Sequence, residues 1–135
     1  MIDLVLLGVG PDGHVASLFP NSAALADASG AWVLPVANSP KPPPERITLS
    51  LPALNASRHV AIVSLGAGKA EVVQRALEVQ SLPGALPVQL VRPGAGRLTW
   101  VLDSAAAAGL SPGDWAAEGG KKSSWKFPRS EAPKA

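Results

Sequence analysis

The sequence contains no cysteine, which excludes disulfide bonds, thiol catalysis and metal sites built on thiolates. It lacks an apolar run near the ~20 residues of a membrane-spanning helix. Its first residues include Asp3 and lack the basic leader of a secretory signal. It also lacks a large charge imbalance, since 12 basic and 10 acidic residues give a net charge of +2. Bulk electrostatics therefore give no reason to expect nucleic acid or membrane as a partner, and we expect a cytoplasmic protein.

Apolar residues are plentiful by contrast: they make up 47% of the 135 residues, enough for one domain with a real core. Apolar runs of strand length alternate with stretches of helical length. This alternation predicts an α/β fold with three layers and a mainly parallel sheet. The expected strands lie at 2–8, 32–36, 59–65 and 97–103, with a further short strand that starts at 46. The expected helices lie at 22–28, 69–80 and 104–110, with a further helix that starts at 52.

A glycine-rich loop follows the first predicted strand. Residues 8–14 are Gly-Val-Gly-Pro-Asp-Gly-His, and residues 17–20 are Ser-Leu-Phe-Pro. The glycine spacing matches the dinucleotide fingerprint, but the next predicted strand does not end in the acidic residue that would hold a ribose. Pro11 and Pro20 also interrupt the helix that would face a pyrophosphate. Both departures disfavour a dinucleotide site.

The same loop suits a catalytic histidine. An imidazole exchanges its proton near neutral pH, so His14 is a candidate general base, and Asp12 is placed to orient it. Gly10 and Gly13 would allow a ligand to approach the backbone closely. A purely structural alternative stays open at this point, in which Asp12 is a turn residue and His14 caps the following turn.

Three cations lie in settings that favour anion binding. Residues 39–46 are rich in proline and form a stiff, extended segment that carries Lys41 and Arg46. Lys69 follows a Gly-Ala-Gly loop at the start of a predicted helix, where a positive charge opposes the helix dipole. The alternatives are that these residues are ordinary surface cations and that the proline-rich segment is a linker or a ligand for a proline-recognising module.

Four stretches of the chain carry a resemblance to a known family in their order and spacing. They are Gly8–His14 with Ser17–Pro20, Ser39–Ala56, Gly66–Ala70 and Leu98–Asp103. Together they span about residues 1–110 and resemble the 6-phosphogluconolactonases. The related glucosamine-6-phosphate deaminases have a similar Gly-x-Asp-Gly-His loop but continue with Phe-Asn-Glu-Pro in place of Ser-Leu-Phe-Pro, so the sequence favours the lactonases.

The resemblance implies hydrolysis of 6-phosphogluconolactone in the pentose phosphate pathway, without a metal or another cofactor. It implies that the catalytic residues are His14, as general base, and Asp12. The substrate-binding residues implied are Gly10, Gly13, Lys41, Arg46 and Lys69. The implied partner is a small phosphosugar lactone, and the implied full-length form is a monomer.

The resemblance also divides the chain. Residues 1–110 resemble the C-terminal part of a lactonase domain with the sugar-phosphate isomerase fold, and residues 111–135 are expected to form a disordered tail without a family counterpart. The family's Ser-Gly-Gly phosphate loop and Asp-Glu-Arg segment have no match here. Two alternatives therefore stay open: a catalytically incomplete fragment of the family, and a sugar-phosphate isomerase related to glucosamine-6-phosphate deaminase.

Overall fold

The computed structural model describes residues 1–79 and 85–111, which form two β-sheets and three short helices. The strands are β1 (Val5–Gly8), β2 (Val33–Val36), β3 (Arg46–Leu49), β4 (His59–Ser64) and β5 (Arg97–Leu102), and the helices are α1 (Leu51–Asn55), α2 (Ala70–Glu78) and α3 (Pro87–Leu90). A 3₁₀ turn at Ala67–Lys69 leads directly into α2. No helix among these residues is both long and apolar enough to cross a membrane.

The main sheet is parallel and has the strand order β1-β4-β5. Its register aligns Leu7 with Ile62 and Ile62 with Trp100, and all three side chains belong to the hydrophobic core. The apolar face of α2 completes this core through Val72, Val73, Ala76 and Leu77. The predicted α/β fold with a mainly parallel sheet is thus confirmed, because continuous apolar runs are typical of such strands.

The second sheet is a separate antiparallel pair of β2 and β3. Pro35 lies opposite Ile47 in this two-stranded sheet. Proline is tolerated there because an edge strand has backbone positions that need no hydrogen-bond donor. The pair is exposed on its outward face, where Ile47 is 76% exposed.

Two predicted helices are wrong. Residues 22–28 and 104–110 form turns instead. The first follows Asn21, whose φ of 58° lies in the left-handed region. Both runs are short, and in a run this short the helix propensity of alanine does not offset the cost of helix nucleation. The carboxylate of Asp103 nevertheless caps the second run, since it accepts from the backbone N–H of Ala106 at 2.8 Å.

Candidate active site

The loop after β1 holds the two candidate catalytic side chains against each other. Oδ1 of Asp12 lies 2.5 Å from Nδ1 of His14 and also accepts from the His14 backbone N–H at 3.2 Å. The loop closes on itself, because the Gly10 N–H donates to the His14 carbonyl and the Gly13 N–H donates to the Gly10 carbonyl, both at 2.9 Å. Asp12 is therefore a turn residue and the partner of the imidazole at once.

The charge of Asp12 decides which imidazole nitrogen carries a proton. Burial raises the pKa of the Asp12 carboxyl, but hydrogen bonds from the His14 side chain and backbone and the nearby imidazole charge outweigh it, so the pKa lies below 3.8. An ionised carboxylate only accepts hydrogen bonds, so Nδ1 must be the donor. In the neutral imidazole this leaves the lone pair on Nε2, which has no hydrogen-bond partner among the described residues. Nε2 is the atom that can take a proton.

Gly10 and Gly13 make this arrangement possible. A Cβ at Gly10 would lie 2.1 Å from Nδ1 and Cε1 of His14. Gly13 has a φ of 82°, and a Cβ there would lie 2.7 Å from Cβ of Leu86. The Gly13 carbonyl also accepts from the Val88 N–H at 3.0 Å. The predicted substrate-binding role of the two glycines stays a prediction, and the close approaches seen are to His14 and Leu86.

Phe19 packs against the imidazole of His14, a contact that the sequence analysis did not predict. Its ring centroid lies 4.6 Å from that of His14, the two planes are tilted by 34°, and the side chain is 2% exposed. The guanidinium carbon of Arg46 lies 5.6 Å from the same ring centroid, within cation–π range. Phe19 thus touches both the candidate base and one of the predicted cations.

Thr48 attaches this loop to the second sheet. Its buried hydroxyl accepts from the Ser17 N–H at 3.0 Å and donates to the Leu49 carbonyl at 3.0 Å. The contact joins residues 31 positions apart, so no local sequence signal could have identified it. We call residues 9–20 the histidine loop below.

Two of the three predicted cations, Lys69 and Arg46, are held by backbone carbonyls. Nζ of Lys69 donates to the Val9 carbonyl at 2.7 Å, which places the loop after β4 beside the histidine loop. Arg46 donates through Nε and Nη2 to the carbonyls of residues 41–43, at 2.8 to 3.0 Å. Lys41 is exposed. The structure thus shows structural contacts for Lys69 and Arg46, and their role in binding an anion stays a prediction.

Within the described residues, no group of three or more His, Cys, Asp or Glu side chains is arranged to hold a metal ion. The predicted tail lies outside the described residues except for Ser111. The N–H and hydroxyl of Ser111 both bond the Glu78 carboxylate at the end of α2.

Fold and loop together define an α/β protein with a carboxylate-oriented histidine at the carboxyl edge of a parallel sheet. Residues 1–100 match the family described as glucosamine-6-phosphate isomerases/6-phosphogluconolactonase. The chain belongs to this family. It is 52% identical over 107 residues to the 6-phosphogluconolactonase of Homo sapiens and 50% identical over 111 residues to a probable chloroplastic 6-phosphogluconolactonase of Oryza sativa subsp. indica. The predicted family resemblance is therefore confirmed.

The matches cover most of this chain but less than half of its relatives. The alignment with the human protein covers 79% of this chain and 41% of the human protein. The 6-phosphogluconolactonase structure from Leishmania guyanensis has a TM-score of 0.69 and 34% identity, with 82% of this chain and 42% of that chain covered. The crystal structure of devB protein has a TM-score of 0.72 and 36% identity, with 81% and 44% covered. A monomeric glucosamine-6-phosphate deaminase, at 19% identity and a TM-score of 0.60, shares the fold.

Proposed function

We propose that this chain carries the general-base part of a 6-phosphogluconolactonase site, in which His14 activates water for attack on the lactone carbonyl. The observation that carries the proposal is the 2.5 Å contact between Asp12 and His14, in a chain 52% identical to a 6-phosphogluconolactonase. The substrate is a phosphosugar lactone, and the reaction belongs to the pentose phosphate pathway. We also propose a cytoplasmic location and a monomeric full-length form.

The chemistry follows from the orientation of the imidazole. Nε2 of His14 takes a proton from water while the water oxygen bonds to the lactone carbonyl carbon. The Asp12 carboxylate, held next to Nδ1, stabilises the imidazolium that forms. The tetrahedral intermediate then breaks its bond to the ring oxygen, and Nε2 returns the proton to that oxygen. The products of this step are the carboxylic acid of 6-phosphogluconate and its new hydroxyl group, and the acid then releases its proton to the solvent to give the carboxylate.

The remaining groups of the site would bind charge. Lys69 uses one N–H on the Val9 carbonyl, and an ammonium has two further donors for a phosphate or a developing oxyanion. The Nε and Nη2 atoms of Arg46 donate hydrogen bonds to backbone carbonyls. Its Nη1 would therefore be the nitrogen that donates to a ligand. Lys41 is exposed within the proline-rich segment and would reach an anion without breaking a contact of its own side chain.

The test compares His14→Gln with His59→Gln as a matched control. His59 begins β4, at the opposite end of the sheet, and its Nε2 lies 2.9 Å from the Thr99 hydroxyl. Lactone hydrolysis is measured by coupling 6-phosphogluconate to its dehydrogenase. Loss of general-base catalysis typically slows a reaction ~10²–10⁴-fold, so we expect such a loss in kcat for His14→Gln and less than a twofold change for His59→Gln.

Two outcomes would replace the proposal. Equal rates for wild type and His14→Gln would remove the base role. A wild-type chain that does not exceed spontaneous hydrolysis would favour the catalytically incomplete fragment, in keeping with the 41% coverage of the human relative. Ammonia release from glucosamine 6-phosphate, measured in parallel, is not expected and would favour the deaminase alternative.

A further inference from the structure

The amino edge of the parallel sheet carries an open cleft that the proposed function does not use. The cleft has a volume of about 340 Å³, within the usual range for small-molecule pockets. Its lining residues are Arg58, His59, Ala95, Gly96 and Arg97. They lie where β4 and β5 begin, whereas the histidine loop follows the carboxyl end of β1. With a rise of ~3.3 Å per residue, the six residues of β4 separate the two edges by about 17 Å. The cleft is therefore distinct from the candidate active site.

Backbone contacts form this cleft without a ligand. The Arg97 N–H donates to the Arg58 carbonyl and the Arg58 N–H donates to the Ile2 carbonyl, both at 2.9 Å. A Cβ at Gly96 would lie 2.5 Å from the Ser57 carbonyl oxygen and 2.7 Å from that of Arg58, so glycine is needed for this close approach. These contacts hold the residues before β5 against the residues before β4, and they bring two arginines to one cleft.

The charges along the cleft are positive. The Arg97 side chain makes no hydrogen bond or ion pair within the described part of the chain. Nη1 of Arg58 lies 2.8 Å from Oδ1 of Asp3, but the two side chains are 70% and 80% exposed, so solvent screens the pair and its contribution is small. Nε2 of His59 is engaged with the Thr99 hydroxyl. Two arginines with hydrogen-bond donors available thus line a cleft that has no acidic lining residue.

We propose that this cleft binds a phosphate group, as inorganic phosphate or as part of a small phosphorylated metabolite, through Arg58 and Arg97. A guanidinium is a planar fork of donors that binds phosphate oxygens in pairs. A phosphate monoester carries close to two negative charges near pH 7 and has three acceptor oxygens, so two guanidiniums match it better than they match a single carboxylate. Ala95 and Gly96 leave room beside the phosphate for the rest of a small molecule.

The experiment titrates the isotope-labelled full chain with inorganic phosphate, glycerol 3-phosphate or gluconate at constant ionic strength. The backbone N–H signals of Gly96 and Arg97 report on the cleft, and the signal of Gly13 reports on the histidine loop. We expect saturable shifts of the two cleft signals with both phosphate probes, and at least ~10-fold weaker binding of gluconate, which carries a carboxylate alone. Charge-assisted hydrogen bonds are the strong ones, so Arg97→Gln and Arg58→Gln should each weaken phosphate binding at least ~10-fold. Equal affinities for the two phosphate probes would assign the site to free phosphate, and tighter binding of glycerol 3-phosphate would assign it to a phosphorylated metabolite.

Arg75→Gln is the matched control, because it removes the same charge from the exposed face of α2 and should change affinity less than twofold. Arg97→Lys keeps the charge without the fork and should bind more weakly than wild type but more tightly than Arg97→Gln. Thermal unfolding of each variant checks that it folds, which we expect because both arginines of the cleft are exposed.

Four results would overturn the proposal. They are the absence of saturable shifts at Gly96, shifts confined to Gly13, gluconate binding as tight as phosphate binding, and equal effects of Arg97→Gln and Arg75→Gln, which would indicate diffuse attraction by the net charge. Binding needs no turnover, so the outcome is independent of the proposed role of His14.

Discussion

The histidine loop and the proline-rich segment of residues 39–46 both carry groups proposed to act on the substrate, yet they are held very differently. Most of the apolar side chains of the histidine loop are buried, including Val15, Leu18 and Phe19, and other elements bond it through Thr48 and Lys69. Residues 40–45 of the proline-rich segment are exposed. Its side-chain hydrogen bonds are internal, from Ser39 and Arg46 to the segment's own backbone.

The difference separates two tasks of the site. A general base must keep one orientation, so the imidazole is fixed by a carboxylate, a phenyl ring and the close approach of Gly10 before any substrate arrives. A cation on the stiff, exposed proline-rich segment loses little conformational entropy when it binds an anion, and its side chain can adjust to the position of the substrate. We therefore expect substitutions in the histidine loop to lower the stability of the fold strongly, and substitutions in the proline-rich segment to have small, local effects.

The strongest test of this contrast is Gly10→Ala against Gly8→Ala. A Cβ at Gly10 would lie 2.1 Å from His14 ring atoms, whereas a Cβ at Gly8 would have nothing within 4 Å. Overpacking costs about 3 kcal/mol at the upper end of its usual range, so we expect Gly10→Ala to lower the free energy of urea unfolding by that amount. Gly8→Ala should stay within about 0.5 kcal/mol of wild type. Equal stabilities for the two variants would show that the imidazole moves aside freely.

A second pair separates steric overlap from backbone strain. Gly13 and Gly66 have φ values of 82° and 93°, so alanine is strained at both. The added Cβ would lie 2.7 Å from Cβ of Leu86 at Gly13 but would meet nothing within 4 Å at Gly66. We expect Gly13→Ala to be less stable than Gly66→Ala by about 2 kcal/mol in urea unfolding. A difference near zero would mean that Leu86 moves aside for the added methyl group, and the histidine loop would then be less rigidly held than we argue.

The third test measures the coupling of Asp12 to His14 as a function of pH. The pKa of Asp12 is lowered in the folded state, so its ionised form stabilises the fold above pH 3.8, and this stabilisation is lost as the pH falls through the folded-state pKa. A double-mutant cycle of Asp12→Asn and His14→Gln should give a coupling of about 1 kcal/mol at pH 7, because the pair is partly exposed. A coupling that does not fall as the pH is lowered through the acid range below 3.8 would contradict the ionic origin.

The sequence predicts the parallel sheet well because the evidence for its strands is local. β1, β4 and β5 are apolar runs, and the buried residues of α2 recur at helical spacing. The antiparallel pairing of β2 with β3 has no such local signal, and it was not predicted. The helices expected at 22–28 and 104–110 failed because the helix propensity of alanine-rich runs this short does not offset the cost of helix nucleation.

At the candidate site, contacts close in sequence could be predicted and distant ones could not. Asp12 and His14 are two residues apart, so their pairing follows from loop chemistry. The bond from Lys69 to the Val9 carbonyl joins residues 60 positions apart. A lysine at a helix start is equally compatible with an anionic partner, whereas the acceptor in the structure is a neutral carbonyl. The packing of Phe19 against His14 likewise depends on how the loop folds back on itself.

The smallest effect is expected for Arg46→Lys, with Arg75→Lys on the exposed face of α2 as control. The guanidinium fork of Arg46 contacts three carbonyls of the proline-rich segment, a geometry that an ammonium cannot reproduce. Global stability should fall by only about 0.5 kcal/mol because the contacts are exposed.

The local readout is hydrogen exchange at Ser39, whose N–H donates to the Pro44 carbonyl at 2.9 Å. A loss of about 1 kcal/mol of local stability corresponds to roughly fivefold faster exchange, which we expect in Arg46→Lys alone. Unchanged exchange would mean that the prolines hold the segment without Arg46, leaving its guanidinium free for the substrate.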